Sequence, residues 1–483
     1  MPKRIKSITN PKLRLEILSP REVKKIHDAT LWIIEKVGVR FPSKRALEIW
    51  AVHGAEVDGE KMIVRAKAEL IEEALKTCPP VYPLAARDQQ QDLSLDGNHV
   101  FVGTDGCGVE VIDIQTGSRR TSCLRDVGDI SRIADATEEV AFHWVPVSAQ
   151  DMPPETRSLH EIKAIWENST KHVQTESVYS EREARAAIEM AALIVGGKDK
   201  LRQRPVLSLM QCSASPLGHD GGSLEAALVA AEYGLPTGFM TMVANLTTGP
   251  ATLAGSLAIG NAEVIAGTVL IQLAYPGAPV FYAAAQTASD LRTGAYTGGG
   301  PEDFLYGAAT NVLADFYHIP LSMGSFATGA KEPNWQAGIE NSLSTFMASM
   351  VMSDMLLGVG FLHGSRIWSF AEMMMDCEIF SIIHKTMQGI VVDDETLALD
   401  TIAAVGPGGN FLSQKHTLKH MRDLFLPQFM DRRPYNEWET KKDDARDWAL
   451  AKARNILDNH QPDPLDEKVS SEMAKIISSL EKK

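Results

Sequence analysis

The sequence predicts an α/β protein, a (β/α)8 TIM barrel with helical N-terminal and C-terminal extensions. Three observations predict it. Between residues 98 and 363, eight apolar strand-like runs alternate with helical stretches, the rhythm of a barrel closed by eight parallel strands. The runs are continuously apolar instead of alternating, as strands covered on both faces are. The flanking segments have mainly helical patterns. A doubly wound open sheet is the other arrangement that this alternation allows. The expected division is residues 1–97 as an N-terminal helical extension, 98–363 as the barrel with an inserted β-hairpin near its start, and 364–483 as a C-terminal helical region packing on it.

The elements follow in order. Ser19-Pro20 before REVKKIHDATLWIIEKVG starts a helix with proline at its first position. Ile26, Ile33, Ile34 and Val37 recur along it at helical spacing. Further helices are predicted near Ser43 and Ala66. HVFVGTDG, VEVIDI and RRTSC read as short strands with turns at Asp105-Gly106 and Thr116-Gly117. The barrel strands are FVGTD, VAFHWVPVS, KHVQTES, PVLSLMQCS, PTGFMTMVA, APVFYAAAQT, IPLSMGSF and DMLLGVGFLH. Long helical stretches such as EREARAAIEMAALIVGG and PEDFLYGAATNVLADFYH lie between them. Beyond residue 363, SFAEMMMDCEIFSIIHKTMQG reads as a long apolar helix, and 415–424 and 437–460 as two more.

Composition narrows the function. A chain of 483 residues suffices for one large barrel with extensions. A net charge of −14 argues against nucleic acid and against an anionic membrane, both of which need a basic face, and suits a cationic ligand. Five scattered cysteines without a C-x-x-C pair point to a reducing cytoplasm and no disulfide framework. The first residues carry charges but no apolar core of a secretory leader. AGSLAIGNAEVIAGTVLIQLAYPG is interrupted by Asn261 and Glu263 and reads as a buried helix, not a membrane span.

Local motifs for common chemistries are missing. His416 and His420 stand one helical turn apart, but Thr417 occupies the place of the glutamate that activates water in zinc helices, so a surface helix and no bound metal are expected. His363 and His384 belong to no Cys/His ligand spacing. Gly406-Pro-Gly-Gly-Asn lacks the Lys-Ser/Thr of a phosphate loop. Chemistry in a barrel sits at the C-terminal ends of the strands. Those ends are Asp105, Ser148, Gln174 with Glu176, Gln211, Met242, Gln286, Phe326 with Ala327, and His363. The set is rich in neutral amides and poor in the titratable groups that acid–base catalysis uses. Tyr296, Trp335, Trp368 and Phe370 follow nearby, and aromatic faces attract quaternary ammonium.

TGAKEPNWQAGIEN (328–341), MMMDCEIFSIIHKTMQGI (373–390), VGPGGNFLSQKHTLKHMR (405–422) and LPQFMDRRPYNEW (426–438) together resemble the trimethylamine methyltransferase family over nearly the whole chain. EKVGVRF (35–41) and GTDGCGVEVIDIQTG (103–117) fit as well. The resemblance implies a (β/α)8 barrel that moves a methyl group from an amine to the cobalt of a corrinoid protein. In the trimethylamine enzymes of the family, the position matched by Ala327 holds pyrrolysine, which is thought to hold the amine. Its replacement by Ala327 resembles the branch that demethylates quaternary amines such as glycine betaine.

The implied chemistry needs no proton donor, because a quaternary ammonium already carries a neutral tertiary amine as leaving group. The expected cofactor is cobalamin, on a partner corrinoid protein or supplied as free cob(I)alamin. Phe326, Trp368 and Phe370 are expected to contact the trimethylammonium, with Ala327, Gln174, Gln211 and Gln286 lining the pocket. His363 is expected to bind a carboxylate, with Arg366 or Arg292 as further donors. Carnitine and proline betaine are alternative substrates, and a non-catalytic amine binder is the alternative class. The helical extensions offer surface for a homo-oligomer.

Overall fold

The computed structural model describes residues 5–9, 15–106 and 108–482. Eight parallel strands close into a barrel: β1 (His99–Thr104), β2 (Val140–Trp144), β3 (His172–Thr175), β4 (Leu207–Cys212), β5 (Thr237–Thr241), β6 (Val280–Ala284), β7 (Leu321–Gly324) and β8 (Met355–Val359). Closure is direct, since β8 pairs with β1 through Met355 opposite Phe101 and Leu356 opposite Val102. All eight strands fall on the runs identified in the sequence, and the open sheet is excluded.

A helix follows each strand: α1 (Leu124–Ala136), α2 (Arg157–Asn168), α3 (Glu181–Val195), α4 (Gly221–Glu232), α5 (Leu253–Ala274), α6 (Pro301–Tyr317), α7 (Trp335–Met350) and α8 (Phe370–Met387). The last of these lies beyond residue 363, so the segment read as the start of a C-terminal region supplies the barrel's eighth helix. β1 is not one arm of a hairpin with Glu110–Ile112. That short strand pairs antiparallel with Arg119–Thr121 and parallel with Ile367–Ser369, while Asp105 simply ends β1.

Two apolar layers hold the barrel. The inner one joins Phe101, Phe142, Trp144, Met210, Met240, Phe281 and Met355 to a hairpin of Tyr82–Leu84 and Leu93–Leu95. That hairpin closes the N-terminal end, where the Tyr82 hydroxyl donates to the Val280 carbonyl at 2.7 Å. The outer layer lies between strands and helices. A conformational demand falls on Gly358 in β8, with φ +128° and a would-be Cβ 1.9 Å from the Ser325 carbonyl oxygen. No other residue fits there.

Helix α5 alone among the described residues is long and apolar enough to cross a membrane, and 83% of that stretch is buried in this fold. Its polar interruptions are hubs. Asn261 donates to Thr30 Oγ1 at 2.7 Å and to the Tyr317 hydroxyl at 2.8 Å. Glu263 accepts from Ser215, Thr241 and the Leu217 amide, each at 2.8 Å. Burial raises the Glu263 pKa, and these donors work against that rise.

In the N-terminal extension, helix Pro20–Trp32 starts as read, with the Ser19 amide donating to Glu22 at 2.9 Å in a capping box. Helix Lys44–Val52 is capped by Ser43, whose hydroxyl accepts from the Ala46 amide at 3.0 Å. At the other end, Ala445–Asn459 and Glu467–Glu481 bury Ala449, Ala453, Met473 and Ile477 against the barrel helices. Cys78, Cys123, Cys212 and Cys377 are free thiols. Cys107 lies outside the described residues.

Candidate active site

The C-terminal ends of the strands surround a cavity of about 430 Å³, within the range of small-molecule sites. Its wall draws Asp105 and Gly106 from the end of β1, Trp144 from β2, Cys212 from β4 and Met240 from β5. Gln286 and Tyr296 come from the segment between β6 and α6, Asp303 from the start of α6, Ala327 from the loop after β7, and Ser365 and Arg366 from the loop after β8.

Asp105 is the anchor of the floor. It is 7% exposed. It accepts from the Ser365 hydroxyl and, at 2.9 Å, from the Gly106 amide. Burial raises its pKa to about 6, against the pull of those two donors, so it is largely ionised at pH 7. Thr104 Oγ1 donates to the Trp144 carbonyl at 2.6 Å and accepts from the Trp144 amide at 2.9 Å, which ties the ends of β1 and β2 together. Gly106 is a close-approach position: a Cβ there would stand 2.8 Å from a Glu176 carboxylate oxygen and 2.9 Å from the Trp144 ring. A second carboxylate thus lies directly behind the floor. Burial pushes the Cys212 thiol up to about 12, with Glu176 and Asp105 adding to the rise, so it stays protonated.

Asp303 supplies a further carboxylate from the first turn of α6. It accepts from the Gly299 amide at 2.7 Å and the Ala288 amide at 3.1 Å, and burial raises its pKa to about 6. Tyr296 is 45% exposed overall, yet its hydroxyl is desolvated and its pKa is raised, first by burial and then by Asp303 and Asp105. Gln286 Nε2 donates to the Ser256 carbonyl at 2.9 Å, whereas its Oε1 and the Trp144 indole N–H find no partner among the described residues. Thr310 Oγ1, in a third lining residue, is likewise without a partner among the described residues.

The rim has the opposite charge. His363, Gly364 and Ser365 all have positive φ, +55°, +63° and +59°. The strained turn is pinned by the His363 amide to the Ala330 carbonyl at 2.7 Å and the Gly364 amide to the Thr328 carbonyl at 2.9 Å. Thr328 is held in turn by Glu340, which accepts its hydroxyl at 2.6 Å and the Gly329 amide at 2.9 Å. The His363 pKa is lowered by desolvation and by the nearby Lys331 and Arg366 cations. Arg366 pairs with Glu110 at 3.5 Å, and its side chain is 60% exposed.

Of the residues singled out by sequence, Asp105, Met242, Gln286, Tyr296, Ala327 and Arg366 line the cavity. Phe326, Trp368 and Phe370 are packed in the outer layer, 1%, 0% and 3% exposed, and do not line it. Trp368 instead meets Phe361 edge-on at 5.1 Å. Gln174 and Gln211 are fully buried outside the lining. Gln174 Nε2 donates to Ser208 Oγ at 3.4 Å, and Gln211 Nε2 to the Val178 carbonyl at 3.3 Å. His363 stands on the outer rim, and Arg292 is solvent-exposed beside Asp290. The cavity is lined by two carboxylates, Asp105 and Asp303, of which only the first is a strand end.

A closed barrel with a charged cavity at the C-terminal ends of its strands has the architecture of a TIM-barrel enzyme. The chain belongs to the trimethylamine methyltransferase family, whose model matches residues 1–482. It is 34% identical over 464 residues to the trimethylamine methyltransferase MttB of Desulfitobacterium hafniense (strain DSM 10664 / DCB-2), covering 96% of this chain and 93% of that one. It is 33% identical over 468 residues to the glycine betaine methyltransferase of Desulfitobacterium hafniense (strain Y51), covering 96% and 97%. The fold resembles that of the Methanosarcina barkeri monomethylamine methyltransferase MtmB, with a TM-score of 0.50 at 11% identity, covering 90% of this chain and 97% of that one. The chain is a methyltransferase of this family.

Proposed function

We propose that the protein demethylates a quaternary amine bearing an anionic end, glycine betaine to dimethylglycine in the first instance, and passes the methyl group to the Co(I) of a corrinoid protein. One observation carries this reading: the cavity wall holds two carboxylates, the buried Asp105 and the partly buried Asp303, and one basic side chain, Arg366, which is 60% exposed. A zwitterion entering ammonium-first meets complementary charge at both ends. Ala327 lines the cavity, so the place where a covalent hook would project holds only a methyl group. A permanent cation needs no such hook. The cavity of about 430 Å³ exceeds what glycine betaine fills, which favours a longer betaine of the carnitine class as the second reading.

The protein's own work in this reaction is positional. Asp105 and the Trp144 and Tyr296 rings hold the cation, and Gln286 lines the same wall. Burial of the floor limits water around the ammonium and leaves one N-methyl group facing the open centre of the cavity, beside the carboxylate's path to Arg366. No side chain has to move a proton. The acceptor, cob(I)alamin on its carrier, supplies the nucleophile when it docks, and the electron pair of the broken C–N bond stays on nitrogen as a neutral tertiary amine. The mouth suits such a partner, since Leu291 in the segment after β6 and Trp335 at the start of α7 are 85% and 80% exposed.

The test is cob(I)alamin methylation with a panel of amines, reading both loss of free cob(I)alamin and appearance of the tertiary amine. Betaines should be demethylated and trimethylamine should not. Demethylation of trimethylamine as fast as any betaine would overturn the reading. Betaine binding with no tertiary amine formed would favour a non-catalytic binder.

A further inference from the structure

Beyond helix α8, no residue between Gln388 and Gln428 is buried. This arm contains helices Asp394–Leu397, Leu399–Val405 and Lys415–His420. Helices this short are unstable without packing, and an element without a core needs a different staple. The first and last of them meet at Glu395. His416 Nε2 lies 3.0 Å from the Glu395 carbonyl oxygen, and His420 Nε2 lies 3.2 Å from Glu395 Oε1. The two imidazole rings are 4.4 Å apart. Ligand atoms of Glu395, His416 and His420 all fall within 4.8 Å of one another. Behind them, His420 Nδ1 is 2.9 Å from Asp423 Oδ2. A carboxylate on the far nitrogen is the usual device that orients a metal-binding imidazole and raises its basicity.

We propose that Glu395, His416 and His420 bind a divalent transition metal of the zinc class, which joins the two ends of the arm. Two imidazole nitrogens and one carboxylate oxygen suit zinc better than calcium or magnesium, which take oxygen donors. A fourth position is left for water. The role is structural: Thr417 follows the first histidine where a hydrolytic zinc helix carries glutamate. Without metal, Lys419 Nζ occupies Glu395 Oε1 at 2.6 Å. The second carboxylate oxygen remains for a metal, and exposed side chains can rotate to close the ligand spacing. His416 and His420 look like an incomplete motif in sequence because the third ligand lies 21 residues before the first.

The experiment uses the full chain, stripped with EDTA and titrated with zinc chloride by calorimetry, with magnesium as control. Cobalt(II) absorption in the visible range gives an independent signature of nitrogen ligation. The expected result is one zinc per chain, with affinity weakened at least about tenfold in His416→Ala, His420→Ala and the nearly isosteric Glu395→Gln. Hydrogen exchange across residues 394–423 should slow with zinc in the parent chain and not in the variants. Absence of saturable zinc binding would overturn the proposal, as would binding that survives all three substitutions.

Discussion

The floor and the rim of the cavity each carry charge, but the same unit charge is worth different amounts in the two places. Asp105 is 7% exposed and fixed by Ser365 and its neighbouring amide. Arg366 is 60% exposed at the side chain and shares its charge with Glu110 at 3.5 Å. Interactions of a desolvated group are screened weakly, while those of an exposed one are cut by water and salt. The floor should therefore set affinity for the ammonium, and the rim should set the choice among ammonium compounds.

Substitutions can break this contrast at either end. Asp105→Asn keeps the shape and the Ser365 contact but removes the charge. It should weaken betaine binding by about 10- to 100-fold, the value of a charge-assisted contact in a buried site, as measured by calorimetry. Acid should act in the same direction. The Asp105 and Asp303 pKa values are raised to about 6, so their charge is present above that pH and lost as pH falls through it. Betaine affinity at pH 5 should be about one tenth of that at pH 7.5 from a single such group, and Asp105→Asn should make the profile shallower, leaving the part due to Asp303. Trp144→Leu should cost about 3- to 10-fold through the lost aromatic face. Arg366→Gln should cost least, about 2- to 5-fold, and only for substrates with a carboxylate. Tetramethylammonium, which has none, should bind the variant and the parent chain alike.

The barrel was legible because its strands are continuous apolar runs, a signal that survives without knowing any contact. The cavity was less legible. Phe326, Trp368 and Phe370 follow strand ends closely, but Gly360 and Phe361 make room for Trp368 inside the core: a Cβ on Gly360 would stand 2.6 Å from its ring. Proximity to a strand end says nothing about the direction of a side chain. Gln174 and Gln211 failed for the same reason, both sitting in buried hydrogen bonds between elements. Asp105 was readable as the end of β1, and its position alone marked it. Asp303 was not, because it reaches the cavity from the first turn of α6 after a long loop.

A crystal structure with a bound betaine tests the central claim most directly. The account predicts the quaternary nitrogen against Asp105 and the Trp144 ring, with the carboxylate directed to Arg366. A betaine bound the other way round, or outside the cavity that Ala327 lines, would contradict it.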